Sequence, residues 1–289
     1  MSLPLPPRLV HFALPVSSLD ESLIYFRKTL GMSVLRHDSF PAGGEMQFLP
    51  LKGGPSWSRT MVGYSPEGAS FALGLKHNPA LSSYRTTGHF KFHVAHSTSL
   101  PGVTSSPDGY RFETTTGPPR IIDVEVAVRE PAERASFLSQ LVGQPALIDS
   151  VPSNGTVRLS FPYRPDSASS LPGEHLDDSN ASIVFSQAGE NDPSGTTQSL
   201  DHGEITPRVA IAVDDVDAVH ARAASLLSDA AAYKGSPFRI ILPPTTTGPG
   251  RSAMRMSILR DADGYEWVFV GWEGFFSSLG EEKKEPDDV

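Results

Sequence analysis

Two carboxylates lie on one face of an alternating stretch that predicts a β-strand. Asp123 and Glu125 alternate with valines, which must point to the opposite side of the strand. Together with Glu113, which follows a predicted turn, they could form an acidic patch that binds a cation or exchanges a proton. Carboxylates on an open face are equally well satisfied by water. The sequence leaves both interpretations open.

A guanidinium lies on one face of another predicted strand. Arg208 is followed at alternate positions by Ala210 and Ala212, so that it would project from a surface of small side chains. Arginine in such a place can hold a carboxylate or a phosphate with two parallel hydrogen bonds. It can also pair with Glu266, on a later strand of the same predicted unit, and we favour this ion pair.

Three histidines fall in predicted strands or directly before one. His11 could act as a general base, but we favour a histidine that is hydrogen-bonded inside a half-buried sheet. His89 and His93 are four residues apart, which along a strand corresponds to about 13 Å, too far for both to bind one metal ion.

The elements that must position these residues occur in repeated units. A short amphipathic helix followed by glycine is predicted at 19–30 and again at 131–142, so that Gly143 follows Gly31 by 112 residues. A second signature, Asp-Gly-Tyr before an alternating strand, lies at 108–110 and returns at 263–265. We therefore interpret the chain as an internal duplication.

Three of the four predicted units, which we call modules one to four, have the order strand, helix, strand, strand, strand. In module two only 95–107 separates the first strand (90–94) from the last (110–115), so we predict that module two is truncated, without its helix and middle strands. The other predicted segments are strands at 10–14, 45–51, 59–64 and 70–75 in module one, strands at 121–128, 146–150, 156–161 and 181–186 in module three, and strands at 208–213 and 265–270 with a helix from Asp215 in module four.

The duplication predicts two domains and a tail. Modules one and two would form an N-terminal domain at 1–118, modules three and four a C-terminal domain at 119–275, and 276–289 an acidic tail.

Composition limits the classes of function. The net charge of −9 and the lack of a basic stripe argue against nucleic-acid binding, because phosphate contacts require clustered Lys and Arg. No apolar run reaches the length of a membrane span, and the N-terminal residues do not form a secretion signal. The chain has no cysteine, which fits a reducing compartment. We expect a cytoplasmic protein that binds neither nucleic acid nor membranes.

Two short motifs carry a resemblance to a known family. Leu30-Gly31-Met32 after the first helix, and Asp261-Ala262-Asp263-Gly264-Tyr265 before the last strand, resemble the vicinal oxygen chelate superfamily of glyoxalases, bleomycin resistance proteins and dioxygenases. The resemblance implies an α+β fold in which tandem βαβββ modules form curved, cup-like mixed sheets. It also implies a divalent metal in the cup, held by one residue on the first strand and one on the last strand of each contributing module.

Transferred to this chain, those ligand places are mostly filled by residues that cannot bind a metal. Only His11, Glu113 and Asp123 could do so, and we expect no metal and no other cofactor. Whether the modules pair in sequence or by exchange stays open at this point, but exchange would bring Glu113 beside Asp123, and His11 opposite Arg208. The eight places are His11 and Gly74, Phe92 and Glu113, Asp123 and Val184, and Arg208 and Val268, in module order.

Three functions are compatible with these observations. The first is a glyoxalase-like protein with a degenerate metal site that binds a small anionic molecule, with His11, Arg208 and Asp123 as ligand-binding residues and with Ala210 and Val268 as small walls of an open cup. The second is a glyoxalase-type lyase or isomerase in which Glu113 is the candidate catalytic residue. The third is a scaffold that binds a protein partner. Whether the chain is an enzyme is left undecided, and we rank the first function above the others.

Overall fold

The structure, a computed structural model, describes residues 5–40, 56–86, 88–97, 101–143, 147–151, 155–161, 181–188, 200, 202, 206–228, 238–247 and 253–280. The helices are α1 (Leu19–Ile24), which continues as a π-helical turn (Tyr25–Thr29), α2 (Pro131–Val142), α3 (Val216–Ser228) and α4 (Trp272–Gly280). The strands are β1 (Arg8–Val16), β2 (Ser33–Phe40), β3 (Trp57–Gly63), β4 (Ala72–His77), β5 (Phe90–His96), β6 (Gly102–Ser105), β7 (Arg111–Thr116), β8 (Arg120–Val128), β9 (Leu147–Val151), β10 (Thr156–Ser160), β11 (Ser182–Gln187), β12 (Arg208–Val213), β13 (Arg239–Thr247), β14 (Met254–Arg260) and β15 (Glu266–Gly271).

The strands form two mixed sheets, and the modules pair by exchange. Sheet A has the order β13-β14-β15-β12-β1-β4-β3-β2, and sheet B has the order β6-β7-β5-β8-β11-β10-β9. Antiparallel pairing of β1 with β12 joins module one to module four, and antiparallel pairing of β5 with β8 joins module two to module three. Each half of the chain therefore contributes to both sheets.

The core lies between the two sheets. The ring of Phe12 on β1 packs against Phe90 and Phe92 on β5, with centroid distances of 5.0 and 5.3 Å. At the other end Phe185 on β11 lies 6.1 Å from Trp267 on β15. Period-two alternation therefore turns one apolar face of each sheet toward the other sheet and leaves the opposite faces for polar residues.

The two Asp-Gly-Tyr turns fasten the sheets to each other. Tyr110, which precedes β7 in sheet B, donates its hydroxyl to the carbonyl of Pro15 in sheet A at 2.5 Å. Tyr265, which precedes β15 in sheet A, donates to the carbonyls of His89 and Ala127 on the side of sheet B, at 2.9 Å each. In each copy of the motif the tyrosine therefore donates a hydrogen bond from its own sheet to the main chain on the side of the other sheet.

The helices begin and end close to the predicted residues. Pro131 occupies the first turn of α2, where its missing N–H costs nothing, and Gly143 ends the helix in the left-handed region with φ of 66°. Ser18 accepts a hydrogen bond from the main-chain N–H of Glu21 at the start of α1.

Three predictions about elements need correction or lie outside the described residues. Ser33–Phe40 forms β2, which the sequence analysis missed, while the strand predicted at 45–51 lies outside the described residues. Module two contains no helix among its described residues, but it keeps the short middle strand β6, which forms a hairpin with β7. Helix α4 was not predicted and includes the first five residues of the segment assigned to the tail.

Candidate functional site

One face of sheet A points away from the core and carries His11 and Arg208. Pairing of β1 with β12 sets His11 opposite Ala210 and Ala13 opposite Arg208. Pairing of β1 with β4 sets Gly74 beside Ala13 on the same face. We call this the cup face of sheet A. Exchange pairing thus brings His11 and Arg208 onto one surface.

An ion-pair network occupies the part of the cup face formed by β2 and β3. Arg36 donates through Nε and Nη2 to the two carboxylate oxygens of Glu67, at 3.0 and 3.3 Å. Asp38 accepts from Nε and Nη2 of Arg59 at 3.1 and 2.8 Å and lies 3.5 Å from Nη1 of Arg36. Two guanidiniums therefore share two carboxylates here.

A second network occupies the part formed by β12, β14 and β15. The buried carboxylate of Glu266 accepts from Nε of Arg208 at 2.7 Å and also from the Nη2 groups of Arg208 and Arg260. Burial raises the pKa of Glu266, but the charges and hydrogen bonds of the two arginines outweigh it and hold the pKa below its usual value. The ion pair that the sequence favoured for Arg208 is formed, and one carboxylate serves two cations.

Lys76 and His11 lie among these cations. The ammonium of Lys76 lies 5.9 Å from the centroid of the Trp57 ring, and among the described residues it has no ion pair. Burial, with further contributions from the charges of Arg208 and Arg59, lowers the pKa of Lys76 to about 7, although Glu266 opposes the shift. Nδ1 of His11 is buried and has no hydrogen-bond partner within the described part of the chain. Burial lowers the pKa of His11 to about 3, with a further contribution from the positive charge of Arg59, so this imidazole is neutral at pH 7.

The apolar part of the cup face is covered by α4. Trp272 and Phe275 form one buried cluster with Ala210, Val268 and other small side chains of β12 and β15. The open wall expected at Ala210 and Val268 is therefore wrong, because the structure buries both under a helix that the sequence analysis had not assigned. In the polar part of the cup face the side chains of Arg36, Asp38, Arg59 and Arg208 stay 12 to 26% exposed.

Arg8 fastens α4 to the rest of the cup. Its guanidinium lies 5.1 Å from the centroid of the Trp272 ring and donates to the carbonyls of Glu67 and Gly68 at 3.0 and 2.8 Å. The turn that holds Glu67 against Arg36 is thereby tied to the helix.

On sheet B the corresponding face carries a cluster centred on His93. Register sets His93 opposite both Glu113 on β7 and Asp123 on β8. Nε2 of His93 lies 3.0 Å from Glu113, and Nδ1 contacts the buried carboxylate of Asp123, which also pairs with Arg158 at 3.0 Å. Exchange pairing therefore brings Glu113 and Asp123 together, and an imidazole bridges them.

The charges in this cluster are largely matched internally. The hydrogen bond to Asp123 raises the pKa of His93, although burial opposes it. Burial raises the pKa of Glu113, but its contacts with Lys91 and His93 outweigh this and hold the pKa below its usual value. Lys91 also pairs with Glu125 at 3.0 Å. Glu113 is thus an ionised ion-pair partner, which makes it a weak proton acceptor at neutral pH.

Neither face matches the ligand set that the family resemblance implies. Of the four ligand places on sheet A, which are His11, Gly74, Arg208 and Val268, only His11 could bind a metal, and a Cβ added at Gly74 would lie 3.2 Å from Sδ of Met61, which fills that place. On sheet B the carboxylates are engaged by lysine, arginine and histidine side chains. Within the described residues no group of three or more His, Asp or Glu side chains is arranged to hold a metal ion.

One assignment of the sequence analysis fails for a geometric reason. Phe92, taken as the first-strand ligand place of module two, points into the core beside Phe112, and Lys91 and His93 lie on the face of Glu113 instead. The alternation along β5 shows which of its residues share a face with Glu113 once the register with β7 is known. Lys76, Arg59 and Arg36 were missed as well, although their alternation with apolar residues is a weak signal for one shared face.

Comparisons with known proteins agree with this architecture. No family model matches the chain. The chain is 24% identical over 292 residues to glyoxalase domain-containing protein 4 from Mus musculus, which covers 93% of this chain and 86% of that protein. It is 24% identical over 286 residues to glyoxalase 1 from Caenorhabditis elegans, covering 93% and 89%. The crystal structure of glyoxalase I from Zea mays superposes with a TM-score of 0.69 at 19% identity and covers 96% of this chain and 97% of that one.

Sequence similarity over almost the whole length and the shared two-sheet architecture indicate the same fold. None of the described helices is long and apolar enough to cross a membrane. The resemblance predicted from the Leu-Gly-Met and Asp-Gly-Tyr motifs is confirmed, since the chain is similar to glyoxalase domain-containing protein 4 and glyoxalase 1 along 93% of its length and has the fold of glyoxalase I.

Proposed function

We propose that this protein binds a small anionic molecule in the polar part of the cup face of sheet A. One observation carries the proposal, namely a surplus of positive charge on a partly buried surface. Among the described residues five cationic side chains face three carboxylates, and Lys76 has no ion pair there. The cations are Arg36, Arg59, Lys76, Arg208 and Arg260, and the carboxylates are Asp38, Glu67 and Glu266.

Surplus buried cations are costly unless an anion compensates them. Desolvation and mutual repulsion depress the pKa of Lys76. A bound carboxylate or phosphate would offset both effects, and it would also offer an acceptor or donor to Nδ1 of His11, which has no hydrogen-bond partner in the described ranges. Because Arg208 is paired with Glu266, it contributes to the positive electrostatic potential of the surface. Lys76 is the side chain that would contact the anion directly.

Calorimetric titration with oxalate, malonate and inorganic phosphate tests this function. We expect saturable binding that weakens with salt, and a loss of roughly 10- to 100-fold in affinity in Lys76→Met, since a charge-assisted hydrogen bond contributes about 1.5–3 kcal/mol. Lys91→Met is the matched control, because Lys91 is a cation of sheet B with two carboxylate partners. If none of the anions binds, or if both variants weaken binding equally, the proposal is wrong.

A glyoxalase-type lyase is the alternative, favoured by the names of the relatives. The engaged state of Glu113 and the unsuitable ligand places speak against it, because the enediolate formed from a hemithioacetal needs a strong electrostatic partner. We expect negligible isomerisation of a hemithioacetal by protein supplied with Zn²⁺, Ni²⁺ or Mn²⁺. Clear turnover that disappears in Glu113→Gln would establish the lyase instead.

A further inference from the structure

We propose that Lys76 is a nucleophile that forms an imine with small carboxylates bearing an aldehyde or keto group, such as 2-oxo acids. The inference rests on the proposed anion-binding function, since the carboxylate of the substrate would occupy the cationic surface. The inference adds a covalent step to anion binding and assigns that step to Lys76.

The position of Lys76 is the geometric basis. The residue lies on β4 directly opposite Arg59 on β3 and beside Pro15 on β1, on the cup face. Other lysines and arginines on the cup face of sheet A and on the corresponding face of sheet B pair with carboxylates. Arg59 pairs with Asp38, and Lys91 pairs with Glu113 and Glu125. Lys76 instead lies near the ring of Trp57. An amine held among fixed cations, with no carboxylate in ion-pair contact among the described residues, is the arrangement that activates lysine for attack on carbonyls.

The protonation state of the amine supports the geometry. A lysine with a pKa of about 7 is substantially neutral at physiological pH, whereas an ordinary lysine is almost entirely protonated. The groups that face Lys76 are Arg59, Arg208, His11 and Glu266, of which His11 is neutral at this pH. The cations keep the amine free of its proton and can at the same time hold the carboxylate of the substrate.

The proposed chemistry requires no oxidant and no reductant. The Nζ lone pair forms a bond to the carbonyl carbon, and the electron pair of the C=O π bond moves to the oxygen, which takes up a proton. The nitrogen then loses its proton, the hydroxyl leaves as water after a second protonation, and a C=N bond replaces the C=O bond. The product is an imine that withdraws electrons from the adjacent carbon.

Reductive trapping tests the proposal on the full chain. The protein is incubated with glyoxylate and sodium cyanoborohydride, and peptide mass mapping measures carboxymethyl adducts at each lysine. We expect Lys76 to react about tenfold faster or more than exposed Lys28, with a rate that rises with pH around a midpoint near 7. Oxalate, which has no aldehyde or keto group, should protect Lys76 and leave Lys28 unaffected.

Variants and a separate binding measurement keep the two proposals distinguishable. Lys76→Arg keeps the positive charge and should lose the adduct at this position, while Lys28→Arg should leave labelling of Lys76 unchanged. If oxalate binds the unaltered protein but glyoxylate labels lysines uniformly, the nucleophile is wrong and the binding function stands. If oxalate, malonate and inorganic phosphate all fail to bind, the proposed function itself is wrong.

Discussion

At the scale of single residues, burial and neighbouring groups together decide in which direction the pKa of an ionisable group shifts. His11 and His93 both lie on faces that point away from the core, yet their pKa values shift in opposite directions. His11 is buried among arginines, which lowers its pKa to about 3, and His93 is hydrogen-bonded to Asp123, which raises its pKa. Their neighbours on adjacent strands, rather than their own type, set these states.

The contact between Asp123 and His93 predicts a pH-dependent contribution to stability. The raised pKa of His93 means that the folded state holds a proton more tightly than the unfolded chain. The stabilisation is therefore fully present below the ordinary value of 6.5 and is lost as pH rises through the folded pKa. We expect Asp123→Asn to cost about 1–3 kcal/mol at pH 6, because it breaks hydrogen bonds of a buried group, and less at pH 9.

Urea denaturation of the parent and the variant across pH 6–9 measures this difference. Asp149→Asn removes the same charge from an exposed position of sheet B and should have little effect at any pH. A cost of Asp123→Asn that stays constant or grows with pH would contradict the raised pKa of His93.

At the scale of elements, α2 is anchored by a buried arginine. Arg134 lies 3.3 Å from Asp261 and 2.9 Å from Asp263, in the turn between β14 and β15, and all three side chains are almost fully buried. Burial raises the pKa of Asp261 to about 6. We expect Arg134→Met to lose about 3–5 kcal/mol of unfolding free energy, because it leaves buried carboxylates without their cation.

Equilibrium denaturation checks this loss. Arg27→Met, at an exposed position of the π-helical turn, should change stability by no more than about 0.5 kcal/mol. In an Asp263→Asn background the cost of Arg134→Met should be smaller, and an equal cost in both backgrounds would show that packing rather than charge accounts for it.

The end of α2 allows a test of helix capping. At Gly143 φ is 66°, and an added Cβ would lie 2.6 Å from Cζ of Arg222, which donates to the carbonyls of Leu141 and Val142. We expect Gly143→Ala to cost about 2 kcal/mol, from the left-handed backbone and from the displaced guanidinium.

Gly155→Ala separates these two contributions. Gly155 has φ of 68° and no atom within 4 Å of its added Cβ, so we expect only the backbone cost, about 1 kcal/mol. Melting temperatures and denaturation midpoints of the two variants give the difference. Equal losses would mean that Arg222 contributes nothing to the cap.

At the scale of the whole molecule, exchange pairing makes the two halves of the chain depend on each other. Residues 1–118 contribute β1–β4 to sheet A and β5–β7 to sheet B, and the later residues complete both sheets. Separation would expose the edges of β1 and β5 and the aromatic core between the sheets. We expect one cooperative unfolding transition for the full chain.

Expression of the halves measures this dependence. Segments 1–118 and 119–289 should each be unfolded or aggregated alone, as judged by proteolysis and by the dispersion of amide NMR signals, and should form a folded complex when produced together. A separately folded, monomeric N-terminal half would mean that the interface between the modules is not required for folding.

Much of the fold was predictable because its signals are local. Proline at 131 and glycine at 143 bound α2 at the predicted residues, and the 112-residue repeat together with the Leu-Gly-Met and Asp-Gly-Tyr motifs predicted the glyoxalase-like architecture. The short segment of chain between β5 and β7 predicted that module two lacks a helix, and its described residues contain none. Helix α4 was missed because its apolar side matches the cup face of sheet A, and that surface exists only after modules one and four have paired.

The sequence by itself determined the alternation of β1, β5, β8 and β12, and hence which side chains share a face within one strand. Only the tertiary structure decided which strands lie side by side. Exchange pairing set Arg208 and Lys76 on one surface and set His93 between Glu113 and Asp123. The physical reason is that charge, pKa and ligand geometry depend on distances across strands that are far apart in the chain, and no local propensity encodes those distances.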